Sequence, residues 1–145
     1  MRPCLLSATC AAAITSIIPH VRYSTPGKVQ VHVRKRDGSR FDFDAPVGIS
    51  LMQALRDVAH LDVAGTCDGE MECGTCHVYL SEASFARAGE PSEEEQDLLD
   101  KVLAVRDTSR LSCGVDLAPD LDGIEIELPS CSSDVSWDTA AMKPR

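Results

Sequence analysis

The sequence predicts an α+β fold in which a helix crosses a mixed β-sheet. Two strand-like segments with an Asp-Gly turn between them open the folded part of the chain, at residues 29–43. A helix with an apolar stripe follows at Leu51, and two further strand-like segments joined by a second Asp-Gly turn end the pattern. At 145 residues the chain has room for one such domain with a single modest core.

The first 25 residues have the composition of a mitochondrial presequence. They contain Arg2 and Arg22 but no acid, together with scattered Ser, Thr and apolar residues. A secretory signal peptide is the alternative, since residues 11–15 could form its short apolar core. No apolar run approaches the ~18 residues that a membrane-spanning helix needs. We therefore expect a presequence at 1–25, a folded domain at 26–129 and a flexible tail at 130–145.

The first two strands are predicted to pair as a hairpin around Asp37-Gly38 and to bury one face. Apolar residues alternate with polar ones on both sides of this turn: Val29, Val31 and Val33 before it, Phe41 and Phe43 after it. Ser50 then provides an N-cap for a helix. The predicted buried stripe of that helix consists of Leu51, Leu55, Val58 and Ala59.

The second half of the domain is predicted to add strands around a second helix. Residues 65–75 contain three glycines and two cysteines and indicate a tightly curled loop. The third cysteine, Cys76, follows directly, and residues 76–80 return to strand composition. Ser92 begins the second helix, and Glu95 is placed to complete a capping box. The core face of this helix is predicted to be Leu98, Leu99, Val102 and Leu103. Strands at 110–117 and 124–128, joined by Asp122-Gly123, complete an α+β roll of the β-grasp type.

Seven cysteines are present, but Cys4 and Cys10 lie in the leader-like segment and Cys131 in the tail. The remaining four are Cys67, Cys73, Cys76 and Cys113, separated by five, two and thirty-six residues. Three therefore come from one glycine-rich loop and the fourth from a distant strand. An iron-sulfur cluster needs thiolates that converge from several sides, and glycines let backbone N–H groups approach the sulfurs. The pattern indicates an iron-sulfur cluster.

Three other roles compete for these cysteines. Structural zinc usually takes two CxxC-like pairs, and Cys113 has no such neighbour in the sequence. The string from Cys73 to His77 satisfies the CxxCH pattern of a c-type haem carrier, but that role leaves Cys67 and Cys113 unused. Disulfides are favoured in secreted proteins, and the leader argues against secretion.

The cysteine spacing resembles that of the adrenodoxin-like mitochondrial ferredoxins over most of residues 28–129. The segments "CGTCHVYLSE", "EEEQDLLD", "SRLSC" and "LDGIEIELP" carry the resemblance. It implies a β-grasp fold, the mitochondrial matrix, and one 2Fe-2S cluster on Cys67, Cys73, Cys76 and Cys113. His77 is similar to the family's structural histidine beside the cluster. The resemblance implies an electron carrier with no substrate pocket, and not an enzyme.

The resemblance also suggests partners for the carrier. Its donor is expected to be an NADPH-dependent ferredoxin reductase. The segments "CHVYLSE" and "LDGIEIELP" are more similar to the branch that serves iron-sulfur cluster assembly, through a cysteine desulfurase and scaffold complex. The alternative acceptor is a mitochondrial cytochrome P450 or a haem-modifying oxygenase. Two alternatives belong to other functional classes: a c-type haem carrier and a zinc-stabilised interaction module.

The sequence departs from the family at two positions of the ligand loop and in the tail. Glu72 stands where a small apolar residue is usual, and Gly74 where Ser is usual. We expect the charge of Glu72 to lower the reduction potential. The aromatic-rich tail of the assembly branch is not recognisable in this chain, whose tail offers only Trp137.

The second helix carries a cluster of acids opposite its core face: Glu93, Glu94, Asp97 and Asp100. The whole chain has 23 Asp plus Glu against 14 Lys plus Arg, so nucleic acid and anionic membranes would repel it. A solvated helix face explains such a cluster equally well when taken alone. Beside an electron-transfer centre, however, complementary charge speeds brief docking. We therefore expect these four acids to bind basic surfaces of the reductase and the acceptor.

Overall fold

The structure is a computed structural model that describes residues 27–131. Its five-stranded sheet has the order β2-β1-β5-β3-β4, in which β1 and β5 are parallel and the other neighbours are antiparallel. The strands are β1 Lys28–Arg34, β2 Arg40–Pro46, β3 His77–Leu80, β4 Ser109–Leu111 and β5 Ile124–Glu127. This sheet confirms the predicted α+β fold. The proposed presequence and residues 132–145 of the predicted tail lie outside the described residues.

The first hairpin forms as predicted. Val31 is opposite Phe43 and Val33 is opposite Phe41, so the apolar residues of both strands share the core face. At the turn, Asp37 accepts hydrogen bonds from the backbone and hydroxyl of Ser39 at 2.8 and 2.6 Å. These bonds lower the pKa of the Asp37 carboxyl.

The crossing helix begins with α1, Leu51–Gln53, and continues as a π-helical turn at Ala54–Val58. Ser50 caps it in a full capping box with Gln53. Leu51 and Leu55 are buried as predicted, but Val58 is 42% exposed, so its place on the buried stripe was wrong. The wider π turn, closed by the Ala59 N–H on the Ala54 carbonyl, rotates the later residues away from the core.

Two further helices lie between β3 and β4. These are α2 Glu82–Ala88, which the sequence analysis did not predict, and α3 Glu93–Leu99. Leu98, Leu99 and Val102 are buried, but Leu103 is 63% exposed, contrary to the prediction. The helix ends at Leu99, and a turn with Ala104 at a positive φ of 60° carries Leu103 outward.

The predicted strand at 110–117 is interrupted. β4 ends at Leu111, and a 3₁₀ turn, Ser112–Gly114, follows and presents Cys113. A second 3₁₀ turn, Pro119–Leu121, precedes β5. No helix in the described part of the chain is long and apolar enough to cross a membrane.

Candidate metal centre

The four cysteines predicted as cluster ligands come together as two pairs. The Sγ atoms of Cys67 and Cys73 are 3.2 Å apart, and those of Cys76 and Cys113 are 3.3 Å apart. None of the described cysteines is in a disulfide. Within residues 27–131, no three His, Cys, Asp or Glu side chains are grouped so as to hold a single metal ion. Two separate thiol pairs fit a binuclear cluster with two protein sulfurs on each iron, rather than one zinc ion.

Cys67 is carried by a four-residue turn from Gly65 to Asp68. The Asp68 N–H donates to the Gly65 carbonyl at 2.9 Å, and the Glu70 N–H donates to the Cys67 carbonyl at 3.1 Å. Glycines supply part of the curvature, since Gly69 and Gly74 have φ values of 100° and 70°. Asp68 and Met71 are also left-handed, at 51° and 54°, which is uncommon for residues with a Cβ. The loop is therefore as tightly curled as its composition predicted.

Thr75 joins the two sides of this loop. Its hydroxyl accepts a hydrogen bond from the Thr66 N–H at 3.0 Å and lies 3.0 Å from the sulfur of Cys73. Burial raises the pKa of the Cys73 thiol, but hydrogen bonds from Thr66, Thr75 and Cys67 outweigh it, so the pKa is lowered overall. A lowered pKa favours the thiolate, which is the form that binds metal.

Cys76 and Cys113 meet where β3 lies beside β4. Both the N–H and the hydroxyl of Ser112 donate to the Cys76 carbonyl, at 3.1 and 2.7 Å, and this fixes the turn that carries Cys113. The hydrogen bond between the two sulfurs is the largest cause that lowers the pKa of Cys76 to about 7. The same contact, with burial, raises the pKa of Cys113. The contact therefore favours loss of one proton from the pair as a whole.

His77 follows Cys76 and points into the interior. It is 3% exposed, its Nε2 lies 2.8 Å from the Ser109 hydroxyl, and its ring packs edge-on against Tyr79 at 5.0 Å. Burial, together with the charge of Arg106, lowers the pKa of His77 to about 4, so the ring is neutral at pH 7. A histidine already engaged inside the sheet does not fit the axial ligand of a CxxCH haem.

Glu95 has a different role from the one predicted. Ser92 caps α3 through the Glu95 N–H at 3.2 Å, but the Glu95 carboxylate does not complete a capping box. It binds Arg110 instead, at 2.8 and 3.0 Å, with both side chains buried. Its position could have revealed this, because Glu95 precedes Leu98 by three residues and Leu99 by four and so shares their buried face.

The four acids predicted to bind partners are all exposed, with Glu93, Glu94 and Asp97 on one face of α3 and Asp100 at its C-cap. We call these four residues the acidic face of α3. Glu95, on the opposite face of the helix, reaches the residue after Cys113. A Cβ built on Gly114 would lie 3.0 Å from the Glu95 carboxylate. The acidic face is thus connected to the thiol site through the buried side of its own helix.

Comparison with known proteins agrees with this geometry. Residues 34–116 match the family of the 2Fe-2S iron-sulfur cluster binding domain. A 2Fe-2S ferredoxin of Rickettsia montanensis is 38% identical over 112 residues, which cover 75% of this chain and 96% of that protein. Adrenodoxin-like protein 2, mitochondrial, of Arabidopsis thaliana is 32% identical over 118 residues, which cover 81% of this chain and 59% of that protein.

The fold is also similar to that of putidaredoxin, whose structure is known in a covalent complex with putidaredoxin reductase. The identity is 39% and the TM-score 0.65, over 69% of this chain and 97% of putidaredoxin. These β-grasp proteins are electron carriers. A chain that matches them over so much of its length, and that brings four cysteine thiols into two pairs, belongs to the 2Fe-2S ferredoxins of the adrenodoxin and putidaredoxin type, with one 2Fe-2S cluster as its cofactor.

Proposed function

We propose that Cys67 and Cys73 hold one iron of the cluster and that Cys76 and Cys113 hold the other. The observation that carries this assignment is the pairing of the thiols, at 3.2 and 3.3 Å. A 2Fe-2S cluster, when bound, takes up and releases one electron. The protein positions the four sulfurs, hydrogen-bonds the loop around them and keeps the site part-buried.

The ligand set is tested by spectroscopy of the purified protein before and after dithionite. Two irons and two sulfides per chain, with an EPR signal that appears on reduction, are expected. Replacement of each ligand by Ser should reduce the cluster content or change its spectrum, because Ser offers oxygen in place of sulfur. Cys131→Ser is the matched control, since Cys131 is exposed at the end of the described chain and should leave the spectrum unchanged. A full wild-type cluster in Cys113→Ser would refute the assignment.

The acidic face of α3 is proposed to bind an NADPH-dependent ferredoxin reductase and then an electron acceptor. Its four carboxylates are exposed, and no basic residue lies in the last turn of the helix. Charge of one sign on a small exposed face accelerates encounter with a basic partner without a large buried interface. The known complex of putidaredoxin with its reductase supports a partner of this class.

Reductase-coupled reduction of the cluster tests this surface. Asp97→Asn combined with Asp100→Asn should lower kcat/KM for the reductase by about tenfold or more at low salt, and the difference should shrink as salt rises. Asp44→Asn with Asp120→Asn removes the same charge from exposed positions on other elements. If both double variants lost activity equally, net charge rather than the α3 face would control docking.

We further propose that the carrier works in the mitochondrial matrix. The composition of residues 1–25 and the similarity to an adrenodoxin-like mitochondrial protein support this location. Expression of residues 1–30 ahead of a fluorescent protein tests it. Import and cleavage would support the proposal, and delivery of the fusion to the secretory pathway would contradict it.

Iron-sulfur cluster assembly is proposed as the destination of the electron. The segments "CHVYLSE" and "LDGIEIELP" support this branch. The test compares two reconstituted acceptors, a cysteine desulfurase with its scaffold and a mitochondrial P450, each supplied with the reductase and this ferredoxin. Faster electron delivery to the assembly complex is expected. Exclusive turnover of the P450 would contradict the proposal.

A further inference from the structure

Arg56 reaches from the crossing helix to the turn that carries Cys67. Its Nη1 donates to the carboxylate of Asp68 at 2.8 Å and lies 3.4 Å from the Gly65 carbonyl. Its Nε donates to Asp57 at 2.8 Å, which holds the guanidinium in place from the helix side. One side chain therefore contacts the first and the last residue of a four-residue turn.

The turn that Arg56 contacts is joined at Thr66 to the Thr75 hydroxyl and is closed across its ends by a backbone hydrogen bond. Its own hydrogen bond runs from the Asp68 N–H to the Gly65 carbonyl, and that carbonyl also faces Arg56. Asp68 keeps a left-handed backbone, at φ 51°, although it has a Cβ. A hydrogen-bonded partner for its carboxylate offsets part of that strain. The contact thus restrains the residue that directly follows Cys67.

Arg56 also changes the charge near the thiols. Residues 65–75 contain three acids, Asp68, Glu70 and Glu72, and no Lys or Arg. Hydrogen bonds to Asp57 and Asp68 raise the pKa of Arg56, which is therefore a cation at every pH at which the protein is folded. It is a positive charge attached to an otherwise acidic loop.

We propose that Arg56 is a positioning residue for the cluster, which closes the Cys67 turn and raises the reduction potential. The first effect comes from its contacts with Gly65 and Asp68. The second comes from its charge, because a nearby cation stabilises the reduced cluster's additional negative charge. This inference rests on the proposed ligand set, in which Cys67 binds iron.

Two variants separate these effects because they break the same contact and change the charge in opposite directions. Arg56→Gln removes a cation and Asp68→Asn removes an anion, and Asn tolerates the left-handed backbone at this position. Both should release the cluster faster, by about twofold to fivefold, as expected for loss of a surface ion pair. The potential should become more negative in Arg56→Gln and more positive in Asp68→Asn. The double variant should lie near wild type in potential.

Arg36→Gln is the matched control, since Arg36 forms a similar 2.8 Å ion pair with Asp62, which lies outside residues 65–75. It should change neither cluster lifetime nor potential. Potential shifts of the same sign in Arg56→Gln and Asp68→Asn, or unchanged cluster lifetimes in both, would overturn the inference. Failure of the ligand set is distinguishable, because it would appear as a normal cluster in Cys67→Ser, whatever the two charge variants do.

Discussion

Arg110 and Glu95 form a buried bidentate ion pair, in which Nε and Nη2 of the guanidinium donate to the two carboxylate oxygens at 2.8 and 3.0 Å. The remaining polar groups are also satisfied. The Leu111 N–H donates to Glu95 at 2.7 Å, and Arg110 donates to the Gly89 carbonyl at 2.6 Å. The pair fastens the acidic helix to the strand that leads into Cys113.

Glu95→Gln should destabilise the protein by about 3 kcal/mol or more, because it leaves the Arg110 charge buried without its counter-ion. Urea unfolding of the cluster-loaded protein, followed by circular dichroism, measures this loss. Glu94→Gln changes the neighbouring, exposed acid and should stay within about 0.5 kcal/mol of wild type. Equal urea midpoints for the two variants would show that the buried ion pair contributes no more to stability than an exposed acid does.

Thr75→Val should make the reduction potential more negative, by about 20 to 60 mV. The hydroxyl contacts the Cys73 sulfur at 3.0 Å, and a hydrogen bond to a cluster sulfur stabilises the reduced state by about 0.5 to 1.5 kcal/mol. Spectroelectrochemical titration gives the value directly. Thr75→Ser keeps the hydroxyl and serves as the control. A shift of equal size in Thr75→Ser, which keeps the hydroxyl, would show that the hydroxyl does not set the potential.

Glu72→Ala should raise the reduction potential, in agreement with the role expected from the sequence. Glu72 is exposed, so water screens its charge and the shift should be only roughly 10 to 30 mV, decreasing with salt. Glu82→Ala, on α2, removes an equally exposed acid away from the ligand loop. An unchanged potential at low ionic strength would disprove the electrostatic role of Glu72.

Gly65→Ala should lower the fraction of chains that retain a cluster. An added Cβ would lie 2.7 Å from the Met52 sulfur, and the residue has a left-handed φ of 52°. Gly123→Ala is the control, because Gly123 has a similar φ of 71° but an added Cβ would have no neighbour within 4 Å. This variant therefore tests backbone strain alone. Iron per chain after purification, and the thermal midpoint, should both be lower for Gly65→Ala. Equal losses in the two variants would mean that the contact with Met52 is unimportant.

Much of this fold could be predicted because it depends on local patterns. The Asp37-Gly38 hairpin, the Ser50 cap and the curled cysteine loop are each specified by neighbouring residues whose conformational preferences agree. The four thiols were predicted as ligands from their spacing, and the structure brings them into two pairs.

The residues whose roles were predicted wrongly lie where contacts with distant parts of the chain override local conformational preference. Val58 turns outward because a π-helical turn changes the helix period, which apolar spacing does not reveal. Glu95 was expected to cap its own helix, since Arg110, its true partner, is fifteen residues away in the chain. The pairing of Cys76 with Cys113 also depends on tertiary structure, because β3 must first lie beside β4.

With the proposed ligand set, the separation of Cys76 from Cys113 would also make the cofactor a cross-link. Thirty-six residues lie between these two cysteines, including both short helices and the whole acidic face. An iron bound to both sulfurs would close this segment into a ring and so restrict the unfolded chain, an effect of about 4 kcal/mol for a disulfide enclosing a comparable loop. The metal that carries the electron would therefore also stabilise the surface on which partners are expected to dock.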